Sequence, residues 1–415
     1  MPQLVDTTRR TDFTIGYCTN VHPGNDLATT YRQLEQHAVA VRRTLGWPRM
    51  GVGLWLSRST ATELLTHEST AGAANVASVA KLAEWMSSHG LVPYTLNGFP
   101  YGNFHNDVVK HEVYLPSWAD EARWEYTVDL AKLFAQLLSA TAQDRGTIST
   151  LPLGWNATTD TQFFEQAAHQ LHRLAEALES LEERTGRRIE VCLEPEPGCT
   201  LGSMAPMVEF FTRYLFNGDE RLRQRNSRYL SVCYDICHAG VMHESSLGNV
   251  QLLQAAGVRI GKVQVSSALE IDFERLTSEE RDRAWVKLQS FSEPRYLHQT
   301  VVYQSGRPPR FFEDLPWALQ DPTVRQQGCW TVHFHVPISE PKAGELGTTQ
   351  SSIHDFIEAA FQANWLPQQW EVETYAWNVL PRELQAESLA VGIAKEVAAL
   401  DGWLRPYMVS SDRSD

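Results

Sequence analysis

Glu194 and Glu196 stand at the end of the apolar run in IEVCLEPEPG, and Asp235 and His238 stand at the end of another in SVCYDICHAG. Gln264 in KVQVSSAL and Glu373 in WEVETYAW close two further runs, and TVHFHVPI sets His333 and His335 two residues apart. Carboxylates, an amide and imidazoles are donors for a divalent cation, and the acids and imidazoles among them can also move protons. If Glu194, Asp235 and Glu373 share a cleft, their repulsion and desolvation require compensation, which a bound cation would supply. Oxygen donors suit magnesium; added imidazoles shift the preference toward manganese, iron or zinc. The candidate metal ligands are therefore Glu194, Asp235, Gln264, Glu373, His333 and His335. The candidate catalytic groups are Glu194 and Glu373 as bases, His238 as a proton donor or substrate-orienting group, and Lys262 to neutralise an enediolate.

Each residue also has a purely structural explanation. A glutamate after a strand is commonly a solvated turn residue, and Glu196, held between Pro195 and Pro197, fits a rigid turn. The DxxH and HxH spacings are short, and a buried, hydrogen-bonded histidine pair explains the second. Gln264 and Glu373 would serve as hydrogen-bonding groups at the edge of a core. Lys262 would point to solvent if the strand phase shifts by one residue. What joins these groups into one polar site is that all of them fall at the carboxyl ends of apolar runs.

A second group of residues offers a pocket wall. LNGFPYGNFHNDVVKHEVY mixes glycine with Asn97, Phe99, Tyr101 and His105, the composition of a loop that walls or lids a cavity, or of a packed Ω-loop. YCTNVHPG adds Asn20 and His22, and TLPLGW adds Trp155. With Glu196 and His238 these form the candidate substrate-binding set. Neither a GxGxxG after the first strand nor a GxxxxGK[ST] is present, and there is no GxSxG.

These residues need a scaffold that brings distant strand ends together. Apolar runs near residues 13, 51, 91, 147, 189, 229, 259 and 370 alternate with stretches of helical spacing, such as ARWEYTVDLAKLFAQLLSA. Repeated βα units predict an α/β protein with a parallel sheet, and eight of them favour a closed (β/α)8 TIM barrel. In such a barrel the strand bodies are buried and the carboxyl ends face the ligand. Period two then puts Cys192 with Glu194, Ser231 and Cys233 with Asp235, Lys262 with Gln264, and Glu371 with Glu373 and Tyr375. Residues 1–415 are expected to form one domain, with 270–345 inserted between the seventh and eighth strands to line or cover the barrel mouth. SEPRYLHQTVVYQSG and CWTVHFHVPI within it read as extra strands, so a doubly wound sheet with an antiparallel extension is the competing architecture.

The composition sets outer limits. With 36 Lys and Arg against 50 Asp and Glu, the net charge of -14 argues against a nucleic-acid partner or an anionic membrane surface. No apolar run is long enough to span a membrane, and the opening MPQLVDTTRRTDF lacks the apolar core of a secretion signal. The six cysteines form no paired CxxC set and fit reduced thiols in a cytoplasm.

LEPEPG, CYDICHAG, KVQVSSAL, TVHFHVPI and ETYAW together resemble the xylose isomerase-like TIM barrels, a superfamily that includes sugar-phosphate epimerases and endonuclease IV enzymes. YCTNVHPG, TLNGFPYG, STLPLGW and LEPEPGC look more closely like the EboE family of metabolite traffic proteins. The superfamily resemblance implies a metal at the carboxyl mouth. Its strand-five glutamate would be Glu194, its DxxH pair Asp235 and His238, its strand-seven ligand Gln264, its later pair His333 and His335, and its strand-eight carboxylate Glu373. Many relatives have histidine where this chain has Gln264. The resemblance implies a divalent-metal-dependent isomerase or epimerase acting on a small sugar, cyclitol or phosphate derivative. The EboE likeness implies a gene-cluster role beside a membrane prenyltransferase-like protein. Its alternative is a non-catalytic metabolite-binding or carrier protein that supports export of a prenylated metabolite. The abasic-site nuclease branch fits poorly, because the net charge is acidic and no basic groove is evident.

Overall fold

A computed structural model describes residues 14–69, 78–141, 143–155 and 160–407. The opening segment through Phe13 and residues 70–77, 142 and 156–159 lie outside the described residues. The described residues form fourteen strands: β1 (Thr14–Cys18), β2 (Met50–Trp55), β3 (Leu91–Asn97), β4 (Arg145–Thr150), β5 (Arg188–Leu193), β6 (Leu230–Asp235), β7 (Ile260–Val265), β8 (Ser267–Asp272), β9 (Thr300–Tyr303), β10 (Arg310–Phe312), β11 (Cys329–Val336), β12 (Lys342–Ala343), β13 (Leu346–Thr348) and β14 (Gln369–Val372). β1 to β7 and β14 close a parallel barrel in the order β1-β14-β7-β6-β5-β4-β3-β2. The pairing of β1 with both β2 and β14 excludes the open doubly wound alternative.

The remaining six strands form a second sheet, ordered β10-β9-β11-β8-β13-β12, whose strand pairs are antiparallel. VRIGKVQVSSAL, a single run in the sequence, divides at Ser266: β7 stays in the barrel and β8 leaves it for the second sheet. The break is fixed by hydrogen bonding. Ser266 Oγ donates to Asp235 Oδ1 at 2.8 Å and accepts the Cys237 N–H at 3.1 Å, so the chain turns against the end of β6.

Helices pack around the barrel on apolar faces. In the helix Glu121–Ala140, Leu130, Phe134, Leu137 and Leu138 are buried, and the helix Thr161–Thr185 buries Leu171, Leu174 and Leu178. Asp160 caps the latter by accepting the Phe163 N–H at 2.7 Å. None of the helices of the described residues is long and apolar enough to cross a membrane.

The barrel interior is polar in layers, as period two dictates. Low in the barrel, the wholly buried Glu190 accepts from Arg259 at 2.9 Å and Arg145 at 3.2 Å. In the middle, Lys262 on β7 reaches Glu371 on β14 and Ser149 on β4. Space for these side chains comes from glycine. A Cβ on Gly53 would lie 1.4 Å from Glu371 Oε1, and one on Gly261 would lie 2.4 Å from Ser231 Oγ. The top layer holds Glu194, Asp235, Gln264 and Glu373.

Candidate metal centre

β6 ends on Asp235, and Glu194 and Glu373 directly follow β5 and β14 at the carboxyl mouth. Glu194, Asp235 and Glu373 are buried, and each offers an oxygen within 4.8 Å of the others. Asn20 and Asn97 donate to Glu373 Oε1 at 2.7 and 2.9 Å, and the Gln264 amide donates to Glu373 Oε2 and, at 3.3 Å, to Glu194 Oε1. Asp235 Oδ1 accepts the His238 N–H at 3.0 Å as the cap of the short helix Ile236–Val241. Glu194 Oε2 and Asp235 Oδ2 are buried with no hydrogen-bond partner among the described residues. Burial, then Glu373 and Asp235, pushes the Glu194 carboxyl well above its ordinary value. Burial, then Asp235, pushes Glu373 up to about 8.

Beside these acids, three imidazoles converge. His333 Nε2 lies 3.2 Å from both His238 Nε2 and His335 Nε2. Their other nitrogens are committed. His238 Nδ1 meets the Pro195 carbonyl at 2.8 Å, and His335 Nδ1 meets the Glu373 carbonyl at 2.6 Å. His333 Nδ1 meets Gln299 Oε1 at 2.7 Å. The Gln299 amide nitrogen already donates to Tyr114, Glu196 and Pro197, so its oxygen must face His333. Every Nδ1 partner is thus an acceptor, and each ring in its neutral form carries its proton there, leaving a bare lone pair on Nε2. Burial and the neighbouring imidazoles hold His333 well below the ordinary histidine value, and burial lowers His335 to about 4. Protonation of His333 or His335 therefore does not relieve the contact between their Nε2 atoms. A divalent cation fits it: tetrahedral nitrogens at 2.0–2.1 Å from zinc stand about 3.3 Å apart. Asp235 shares its cluster with His238 and His335, Glu196 with His238 and His333, and Cys237 with His333 and His335. The donors present fit a metal of the manganese, iron or zinc type.

A cavity opens above this cluster. Of the residues expected from sequence, Asn20, Asn97, Phe99, Glu194, Glu196, His238, His333, His335 and Glu373 line it, and Asp235 lies behind them. Several expectations are corrected. Gln264 turns its amide nitrogen to the carboxylates and receives the Cys233 thiol on its oxygen, so it acts as a donor between acids rather than as a ligand. Lys262 does not reach the cavity; its ammonium is bound to Glu371 one layer down. His238 turns its Nδ1 to the Pro195 carbonyl and its Nε2 to His333. His22 points into a side cleft, bonded to Tyr17 at 3.0 Å and stacked on His37. Tyr101 packs on Tyr126, His105 braces the Asn20 carbonyl at 2.7 Å, and Trp155 packs behind Tyr114.

The candidate site set left out Tyr114, whose hydroxyl donates to Glu196 Oε1 at 2.6 Å, together with Gln299, Tyr296, Tyr375, Lys110 and Cys237. Tyr375 had a signal, since it continues the period of Glu371 and Glu373. Tyr114 ends the stretch read as a pocket wall, but nothing in that stretch points to its bond with Glu196, and Gln299 had no signal.

No family model matches the chain, and no curated protein matches it. Solved structures similar to it include an IolI protein with a bound zinc atom (11% identity, TM-score 0.47, covering 96% of this chain and 99% of that one). A D-allulose 3-epimerase from Methylomonas sp. in complex with D-allulose has 11% identity and a TM-score of 0.46 over 95% of this chain and 99% of its own. A xylose isomerase domain protein from Planctomyces limnophilus has 12% identity and a TM-score of 0.45 over 88% and 92%. At this level of likeness the barrel assignment rests on the strand order itself.

Proposed function

We propose that the chain is a divalent-metal-dependent isomerase or epimerase acting on a small polyhydroxylated molecule with a carbonyl or a carbon acid beside one. The observation that carries this reading is the meeting of three imidazole Nε2 atoms with two carboxyls of raised pKa in one cavity. His238, His333, His335 and Asp235 would hold the ion. When bound, it supplies Lewis-acid polarisation of a substrate oxygen.

The chain supplies the proton transfers. Glu194 and Glu373 share a buried site whose mutual repulsion disfavours double ionisation, so one carboxyl can serve as acid while the other serves as base. Such a pair removes a proton from carbon and returns it. Gln264, Asn20 and Asn97 fix Glu373, while Gln264 also holds Glu194. Glu196, oriented by Tyr114 and Gln299, offers an acceptor for a substrate hydroxyl.

The EboE motifs add a pathway proposal: a cyclitol or sugar intermediate handled in concert with a membrane prenyltransferase-like protein. The test is direct. Protein purified without added metal is assayed for bound ions, then loaded and incubated with ketose and cyclitol pools in deuterated water. Deuterium is expected beside the carbonyl of a turned-over substrate. Glu373→Gln should retain the ion and lower exchange about a hundredfold or more. A ligand retained unchanged, with no exchange in any pool, makes the protein a carrier.

A further inference from the structure

Resting on the isomerase reading, we propose that the cavity takes an uncharged polyhydroxylated substrate and discriminates against its phosphate esters, with Asp314 as the residue that sets this preference. Among the described residues, Lys110 is the only lysine or arginine lining the cavity. Its ammonium is already bound to the Asp314 carboxylate and, at 3.4 Å, to the Tyr296 carbonyl. Asp314 is 5% exposed and is oriented by the His298 N–H at 3.2 Å, so the pair is a built feature rather than two surface charges meeting by chance.

Apart from the ion that the isomerase reading requires, the rest of the lining offers a phosphate no cationic side chain. Phe99, Phe104, Val113 and Leu297 form an apolar wall that suits the C–H face of a neutral polyol. Glu194, Glu196 and Glu373 also line it, and whichever of them is ionised would meet a phosphate dianion at close range. The helix Ile236–Val241 starts at the site, but Asp235 already accepts the His238 N–H there. The donors that remain suit hydroxyl and carbonyl oxygens: the Asn20 and Asn97 amides and the Tyr114 hydroxyl, each now resting on a carboxylate. A phosphorylated substrate would have to displace Asp314 from Lys110 and leave a buried carboxylate unpaired.

Calorimetry on the metal-loaded full chain tests this with D-fructose, myo-inositol, their monophosphates and inorganic phosphate as probes. The wild type is expected to bind a neutral member at least about tenfold more tightly than its monophosphate. Asp314→Asn keeps an acceptor for His298 while freeing the ammonium, and should shrink that ratio about tenfold with metal content unchanged. Tighter binding of a monophosphate or of inorganic phosphate by the wild type overturns the proposal, as does an unchanged ratio in the variant. If Asp314→Asn fails to fold, the wild-type ratio alone supports or overturns the preference. Absence of metal or of exchange in deuterated water counts against the isomerase reading and leaves the ratio measurable; binding of no probe at all overturns both.

Discussion

Gln299 shows how much of the site is decided one residue away from the chemistry. Its oxygen accepts the His333 Nδ1 proton, and its nitrogen holds Glu196 and the Pro197 carbonyl. Gln299→Leu should therefore lower metal affinity about 10- to 100-fold, because His333 loses the acceptor that fixes its tautomer and ring plane. Competition with a chromophoric chelator measures this; an unchanged Kd would mean that His333 is not a ligand. The placement of Glu194 and Asp235 at strand ends and of His333 and His335 on one strand face was legible because period two and strand-end position are local properties, and His238 followed from its spacing to Asp235. Gln299 and Tyr114 were illegible because no local rule fixes a loop side chain against a partner far away in sequence. Lys262 shared the phase of Gln264, as its strand requires, but layer depth decides whether a residue meets substrate, and depth depends on register around the whole barrel.

At the level of elements, Glu396 on the helix Leu389–Leu404 ties three segments of the site together. It accepts from the Ile338 N–H beyond β11 at 3.0 Å, from Thr374 beyond β14 at 2.6 Å and from Trp377 at 2.9 Å. Burial pushes this carboxyl from 4.5 up to about 7 in the folded protein. With the folded pKa above the unfolded one, the native state binds the extra proton. Stability from this group is full below about pH 4.5 and falls as pH rises to about 7, by a total of about 3 kcal/mol. Glu396→Gln should flatten that part of the stability curve relative to wild type in urea unfolding; parallel curves would refute the assignment. The strand-and-helix alternation and the count of eight were readable in the sequence, since each unit carries its own periodicity. The split of VRIGKVQVSSAL between two sheets was not, because Ser266 breaks the run through its bonds to Asp235 and Cys237, which sequence spacing does not reveal.

Across the whole molecule, the site is assembled from two sheets. The barrel contributes Glu194, Asp235 and Glu373, with His238 just past β6, while β11 of the second sheet contributes His333 and His335. An ion held by His238 and Asp235 together with His333 and His335 would bridge the two bodies, so binding must stabilise their junction more than the far side of the barrel. With free ion a hundredfold above Kd, the gain is about 2.7 kcal/mol. Hydrogen exchange should then show added protection in β8, β9 and β11 on metal loading and little change in β2 and β3, remote from the second sheet in the barrel order. His333→Ala should remove the increment without altering exchange in β2 and β3. Protection spread evenly over both sheets would place the ion elsewhere, because only a ligand set divided between them produces the asymmetry.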